Sequence, residues 1–203
     1  MSLARGRPTA LDVQPESFAF TSESLEEARR AIAMYPKGRE QSAVMPLLHI
    51  VQRQQGWVPV AAMEVVADML GIPRIRVYEV ATFYTMYNLE PVGEHLVQIC
   101  TTTPCMLCGS DAIVDACMSH LGVGWDETTP DGRFTLKEVE CLGACVNAPM
   151  VQINDDYYED LTPESMVSLL DRLARGERPK PGSQSGRRSS EPVSGPTTLK
   201  IGA

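Results

Sequence analysis

Long apolar runs are missing from this 203-residue chain: no stretch approaches the roughly eighteen consecutive apolar residues that a membrane-spanning helix needs. The opening residues, Met1 to Pro8, lack the apolar stretch of a secretory signal, so neither direct membrane insertion nor export is expected. Arg5 and Arg7 precede the first acid, Asp12, as they would in a transit peptide. Gly6 and Pro8 interrupt so short a stretch, however, and organelle targeting does not follow from it. Positive charge is also scarce. Eighteen Lys and Arg against 26 Asp and Glu leave a net charge of -8, which argues against a broad phosphate-binding surface and against nucleic acid as a partner. Neither G-x-G-x-x-G nor a Walker loop occurs, so no nucleotide site of the chain's own is expected. Two Trp and four Phe stand beside ten Met, which points to a pliable aliphatic interior rather than a stacking surface. There are no internal repeats.

What is present suits one large domain or two small ones: 43% of residues are hydrophobic and 22% charged, enough to bury a core. Residues 1–21 read as an irregular N-terminal arm. A helical bundle follows over 22–90. Ser24 and Glu27 have the spacing of a capping box, opening a helix that carries Leu25, Ala28, Ile32 and Tyr35 before Pro36 and Gly38 stop it. Val44, Leu47, Leu48 and Val51 recur at helical steps up to Gly56. Met63, Val66, Ala67 and Leu70 do so up to Gly71, and Pro73 opens a further helix to about Ala81. Near Val92 and Gly93 the period changes from 3.6 to 2. Over 91–176 we expect a strand from His95 to Thr101, a helix from Ser110 to Leu121, and a strand from Phe134 to Val139. A hairpin should turn at Asn154–Asp156, and a last helix should be capped by Thr162 and Pro163. That order implies a small mixed sheet covered by helices. Residues 177–203, rich in Pro, Gly, Ser and Arg, read as an extended tail.

All six cysteines lie between Cys100 and Cys145. With no export signal, that clustering points to a local metal or redox site rather than to a disulfide framework. The spacing admits several readings. Cys100-x4-Cys105 and Cys141-x3-Cys145 form two pairs, each where an expected strand ends, and a [2Fe-2S] rhomb asks for two thiolates at each end. Structural zinc also takes four cysteines, although its knuckles space them more closely than Cys100 and Cys105. Cys105-Met-Leu-Cys108 is a C-x-x-C before a helix, as in thiol–disulfide enzymes, but this leaves Cys100, Cys141 and Cys145 without a role. The plant-type ferredoxin spacing C-x4-C-x2-C fits Cys100, Cys105 and Cys108 and strands either Cys141 or Cys145. Cys117, beside Ile113 and Leu121 on one helix face, reads as a core residue, and Cys108 as a spare thiol.

These pairs, the segment Glu140-Cys-Leu-Gly-Ala-Cys-Val-Asn-Ala-Pro-Met-Val and the earlier Glu79-Val-Ala-Thr-Phe-Tyr-Thr-Met-Tyr resemble the E subunit of NADH-quinone oxidoreductase, complex I. The resemblance covers about residues 15–182. It implies an α+β fold: an N-terminal helical bundle followed by a thioredoxin-like [2Fe-2S] ferredoxin domain with a small mixed sheet. It also implies one cluster, with Cys100, Cys105, Cys141 and Cys145 in the four ligand positions. The implied partners are an NADH-binding flavoprotein subunit, carrying FMN and NADH, and other peripheral-arm subunits of complex I. The chain is then an oxidoreductase component inactive on its own. It would be cytoplasmic, in a complex peripheral to the inner membrane, or in the mitochondrial matrix if eukaryotic. Related subunits serve NAD-linked hydrogenases and formate dehydrogenases, so the host complex stays open, as do a free thiol–disulfide oxidoreductase and a zinc-bearing adaptor.

Other residues call for less. His49, His95 and His120 have no second ligand at a useful spacing and read as core or surface histidines. Phe83, Tyr84, Met86 and Tyr87 read as an interdomain core or, failing that, a partner surface. Glu16, Glu23, Glu26 and Glu27 read as a solvated face and helix-start charges. Loop amides near Thr101–Thr103 and Leu142–Ala144 are the expected hydrogen-bond donors to sulfur, with the threonine hydroxyls as further donors.

Overall fold

The structure, a computed structural model, describes residues 14–195 and 198. The chain falls into two compact units, Met1–Pro91 and Val92–Ala203, and seven α-helices and five strands lie among the described residues.

In the first unit the helical periodicities become α1 (Ser22–Ala33), α2 (Val44–Gln55), α3 (Val60–Leu70) and α4 (Arg74–Phe83), with a 3-10 turn at Glu40–Ala43 before α2. Gly56 and Gly71 close α2 and α3 in left-handed conformation, and Pro73 precedes α4, as the punctuation predicts. The start of α1 differs from the sequence reading. Thr21, not Ser24, is the cap: its Oγ1 accepts the Ser24 N–H at 3.2 Å. Thr21 offers the same chemistry three residues earlier, which draws Ser24 into the first turn and frees Glu27 to pair with Arg53 of α2. The core is aliphatic: Leu47, Leu48, Val51, Val58, Val66 and Val77 are wholly buried, each such side chain stabilising by roughly 1.5–3 kcal/mol. Phe18 and Phe20, ahead of α1, pack against it.

The second unit carries a five-stranded sheet in the order β2-β1-β3-β4-β5. Strands β1 (His95–Cys100) and β2 (Phe134–Val139) are parallel, a pairing that needs the long helical crossover that joins them. The crossover contains α5 (Thr103–Leu107) and α6 (Ser110–Leu121). Strand β3 (Val151–Ile153) lies antiparallel on the other side of β1 and turns at Asn154 into β4 (Asp156–Glu159). Thr162 and Ser165 cap each other at the start of α7 (Pro163–Ala174). Val97, Ile99, Leu136, Val151 and Ile153 from the sheet share one core with Ile113 and Cys117 of α6 and with Met166, Leu169 and Leu170 of α7.

Beyond α7 the described residues of the expected tail do not all run free, while 196, 197 and 199–203, like 1–13 of the expected arm, lie outside the described residues. Gly182 and Ser183 form β5, parallel to β4, and so add a fifth strand that the composition of this segment gives no reason to expect.

Candidate metal centre

Strand register sets the site. Cys100 ends β1 opposite Val139, the last residue of β2, so the two chains leave the sheet side by side at the same end. After Cys100 the backbone enters α5, whose third residue is Cys105. After Val139 it enters the loop Cys141-Leu-Gly-Ala-Cys145. Gly143 sits at φ 87, a left-handed conformation that side chains oppose, and there the loop folds back on itself. As a result Cys141 Sγ and Cys145 Sγ lie 3.3 Å apart.

Cys100 and Cys105 form the buried half of the site, and Cys141 and Cys145 the more exposed half. The buried pair is hydrogen-bonded thiol to thiol, the charge of Cys145 acts on Cys105, and the charges of Cys100 and Cys141 act on Cys145, so all four sulfurs belong to one electrostatic neighbourhood. Met150 packs beside Cys100 and Cys105, and Leu142, Ala144, Ala148 and Tyr157 close around them. The enclosure is apolar, with Tyr157 Oη directed to the Leu142 carbonyl at 2.9 Å.

Each thiol responds to this crowding differently. Burial raises Cys100, but hydrogen bonds with the Thr102 hydroxyl and amide, with Cys105 and with the Leu142 backbone outweigh it and hold the thiol below its ordinary value. Burial pushes Cys105 up to about 12, aided by its bond to Cys100 and opposed by the Met150 backbone. The hydrogen bond with Cys141 raises Cys145. Thiols so close cannot all ionise unless positive charge is placed among them, and a bound metal supplies that charge.

The arrangement of the four also matters. No three His, Cys, Asp or Glu among the described residues are set to hold one metal ion. Two close pairs set apart from each other suit a rhomb with two thiolates at each end, not the single tetrahedron of structural zinc. The donor set therefore fits a [2Fe-2S] group. Backbone amides complete the fit, with those of Thr102 and Leu142 directed to Cys100 and that of Met150 to Cys105.

The remaining predicted residues fall outside this group. Cys108 caps α5 on the surface, and Cys105, its C-x-x-C partner, is 1% exposed with a raised pKa, the opposite of an activated thiol. Cys117 is fully buried among apolar side chains, and burial pushes its thiol up to about 12. Of the threonine hydroxyls, Thr102 faces Cys100, whereas Thr101 donates to Glu138. His49 stacks near Tyr87, His95 is tucked beside Phe134, and His120 bonds Asp171. Tyr87 enters the core of the helical unit while Phe83, Tyr84 and Met86 are exposed. The sequence reading did not anticipate Met150 as a donor, because it lies past the loop that carries Cys141 and Cys145, at the entry to β3, and a backbone amide leaves no residue-type signal.

Residues 28–174 match the family model of the thioredoxin-like [2Fe-2S] ferredoxin. The chain is 51% identical over 199 residues to the mitochondrial NADH dehydrogenase [ubiquinone] flavoprotein 2 of Dictyostelium discoideum, an alignment covering 98% of this chain and 81% of that one. It is 56% identical over 158 residues to the NADH-quinone oxidoreductase E subunit of Rickettsia bellii, covering 77% of this chain and 95% of that one. Among solved structures, an NAD+-reducing [NiFe]-hydrogenase in the H2-reduced state matches with a TM-score of 0.58 and 16% identity. The match covers 67% of this chain but only 22% of the hydrogenase chain, and it concerns the fold alone. On its own sequence and over most of its length, the chain belongs to the thioredoxin-like [2Fe-2S] ferredoxin family, alongside the E subunits of NADH-quinone oxidoreductases.

Proposed function

We propose that Cys100, Cys105, Cys141 and Cys145 hold one [2Fe-2S] cluster, and that the chain is an electron-transfer subunit of an NADH-quinone oxidoreductase. The observation that carries this reading is the meeting, at the ends of adjacent parallel strands, of one thiol pair in an apolar enclosure with a second, more exposed pair. When bound, the cluster supplies one-electron chemistry between iron valences. The chain's own residues do the rest. Met150, Leu142, Ala144 and Ala148 keep water from the buried pair, and the amides of Thr102, Leu142 and Met150 stabilise negative charge on sulfur, which raises the tendency to accept an electron.

No general acid or base is called for, and hydride transfer belongs to a flavin. The Dictyostelium and Rickettsia relatives are subunits of NADH-oxidising complexes, which supports an NADH-binding flavoprotein with FMN as the partner. Met106, Leu107 and Val146, exposed and adjacent in sequence to the cysteines, supply apolar surface for that contact. Phe83, Tyr84 and Met86 supply a second such surface. No helix among the described residues is long and apolar enough to cross a membrane; it is the likeness to subunits of NADH-quinone oxidoreductase that supports a place in the peripheral arm of the complex. The compartment is then the cytoplasmic side of the inner membrane, or the matrix in a mitochondrion.

Iron and acid-labile sulfide analysis of the purified chain tests the reading: two of each are expected, with serine at any of the four cysteines bleaching or severely destabilising the cluster. One zinc without sulfide would end it. The chain alone is expected not to reduce ferricyanide with NADH, and to do so once the flavoprotein is added. Turnover without the flavoprotein would show that the nucleotide chemistry has been misplaced.

A further inference from the structure

The segment beyond α7 reaches back to the metal centre. After β5 the chain turns so that Arg187 forks onto Asp160, with Nη2 at 2.7 Å from Oδ1 and Nε at 3.2 Å from Oδ2. Both side chains are close to fully buried, at 9% and 12% exposure. The same Nη2 donates to the carbonyl of Val146, the residue after Cys145. Asn147, also buried, ties the other side of that turn. Its Nδ2 donates to Asp160 Oδ2 at 3.2 Å and to the Ser189 carbonyl at 2.8 Å, while its own carbonyl accepts the Asp160 N–H at 2.8 Å. The 3-10 turn Cys145–Asn147 is therefore clasped from outside by a network with a single guanidinium at its centre.

Stability does not explain such a group well. A buried ion pair loses hydration on both partners and is often no more stable than apolar side chains of the same size. What a bidentate guanidinium adds is geometry, because its planar fork fixes the carboxylate and a neighbouring carbonyl in one arrangement. Here the fixed object is the backbone that presents Cys145. Arg187 also lies beyond residue 174, where the family match ends.

We propose that Arg187 is a positioning residue for the metal centre, acting through Asp160 and Asn147 to hold the Cys145 turn in ligating geometry. The proposal rests on the reading of Cys145 as a cluster ligand. It is tested on the full chain carrying its cluster, comparing wild type with Arg187→Ala and Arg187→Lys by the rate of bleaching under a chelator and by the low-temperature resonance spectrum of the reduced protein. Arg187→Ala is expected to bleach roughly 10- to 100-fold faster, the cost typical of losing an outer partner of a metal ligand, and to shift the resonance of the cluster that remains. Lysine keeps the charge without the fork, so it should recover only a minor part of that loss. Hydrogen exchange of peptides spanning 144–148 should quicken in both variants. Should Arg187→Ala fail to fold, Arg187→Lys, which keeps the buried cation, carries the comparison alone.

Bleaching and resonance unchanged in Arg187→Ala, or fully restored by lysine, would overturn the proposal. A lower melting temperature with an unmoved resonance would reduce Arg187 to a structural role and overturn it too. A wild-type chain without iron and sulfide would instead sink the cluster reading on which it depends.

Discussion

Replacing Cys117 separates a core thiol from a ligand thiol. The residue lies in the middle of α6, fully buried against the sheet and α7. Serine there is nearly isosteric but sets a hydroxyl among apolar side chains, which costs about 1–3 kcal/mol in proteins. The carbonyl one turn back, on Ile113, can accept that hydroxyl and brings the expected loss to the lower half of the range, about 1–2 kcal/mol. At roughly 2–4 °C per kcal/mol for a chain of this size, melting should fall by roughly 2–8 °C, while the visible spectrum stays as in wild type. Titration gives a second signature. The thiol rises from an ordinary value of 9.0 to about 12 on burial, so the unfolded chain ionises first as pH increases. The thiol's contribution is therefore complete below pH 9 and is lost progressively between 9 and 12, with roughly 1.4 kcal/mol gone by pH 10. Urea midpoints at pH 7 and pH 10 should show wild type losing more stability than Cys117→Ala across that interval. Bleaching of the cluster in Cys117→Ser would refute the core assignment, and equal pH responses in wild type and Cys117→Ala would refute the burial argument.

Two further substitutions probe the ligand loops. Cys108→Ala should leave the visible and resonance spectra intact, because the thiol is exposed at the end of α5. Loss of the cluster would favour the plant-type spacing instead. Tyr157→Phe removes the hydrogen bond to the Leu142 carbonyl and should cost about 0.5–1.5 kcal/mol in urea unfolding. It should also quicken chelator bleaching, and a variant with wild-type bleaching would show that this bond does not hold the Cys141 loop.

The sequence was most readable where a single residue type has one physical use. Gly56 and Gly71 end helices in the left-handed conformation that other residues resist, and Thr162-Pro163 opens α7. Strands β1 and β2 were legible from their apolar residues, and with them the meeting of the two cysteine loops. Less was legible where several residues compete for one role: Thr21 and Ser24 can both cap α1, and geometry chose Thr21. Helix α5 has five residues, too few to display a period, so the path from Cys100 to Cys105 read as a plain loop. Strand β5 is two residues, Gly and Ser, with no side-chain pattern at all. Arg187 and Asp160 stand 27 residues apart and meet only because β5 pairs with β4, a contact that no local signal announces.

Two of those illegible features, α5 and the Arg187 clasp, bear together with Tyr157 on the loops that carry the cysteines. A metal centre confined to strand ends would depend on the metal to hold its own loops, because loop backbone released from a sheet has few partners. In this chain the outer pair's loop is tied at Leu142 by Tyr157 from β4 and at Val146 and Asn147 by Arg187 and Asp160. The inner pair is tied by burial and by the Thr102 and Met150 amides. Four thiols are thus gathered by the fold in a form that resists their joint ionisation, and the electrostatic cost of gathering them is offset when cationic iron enters. With the cluster on these four thiols, folding of the sheet unit and retention of the cluster would be one coupled equilibrium, and residues that tie the loops would influence electron transfer by limiting how far the thiolates move when charge changes.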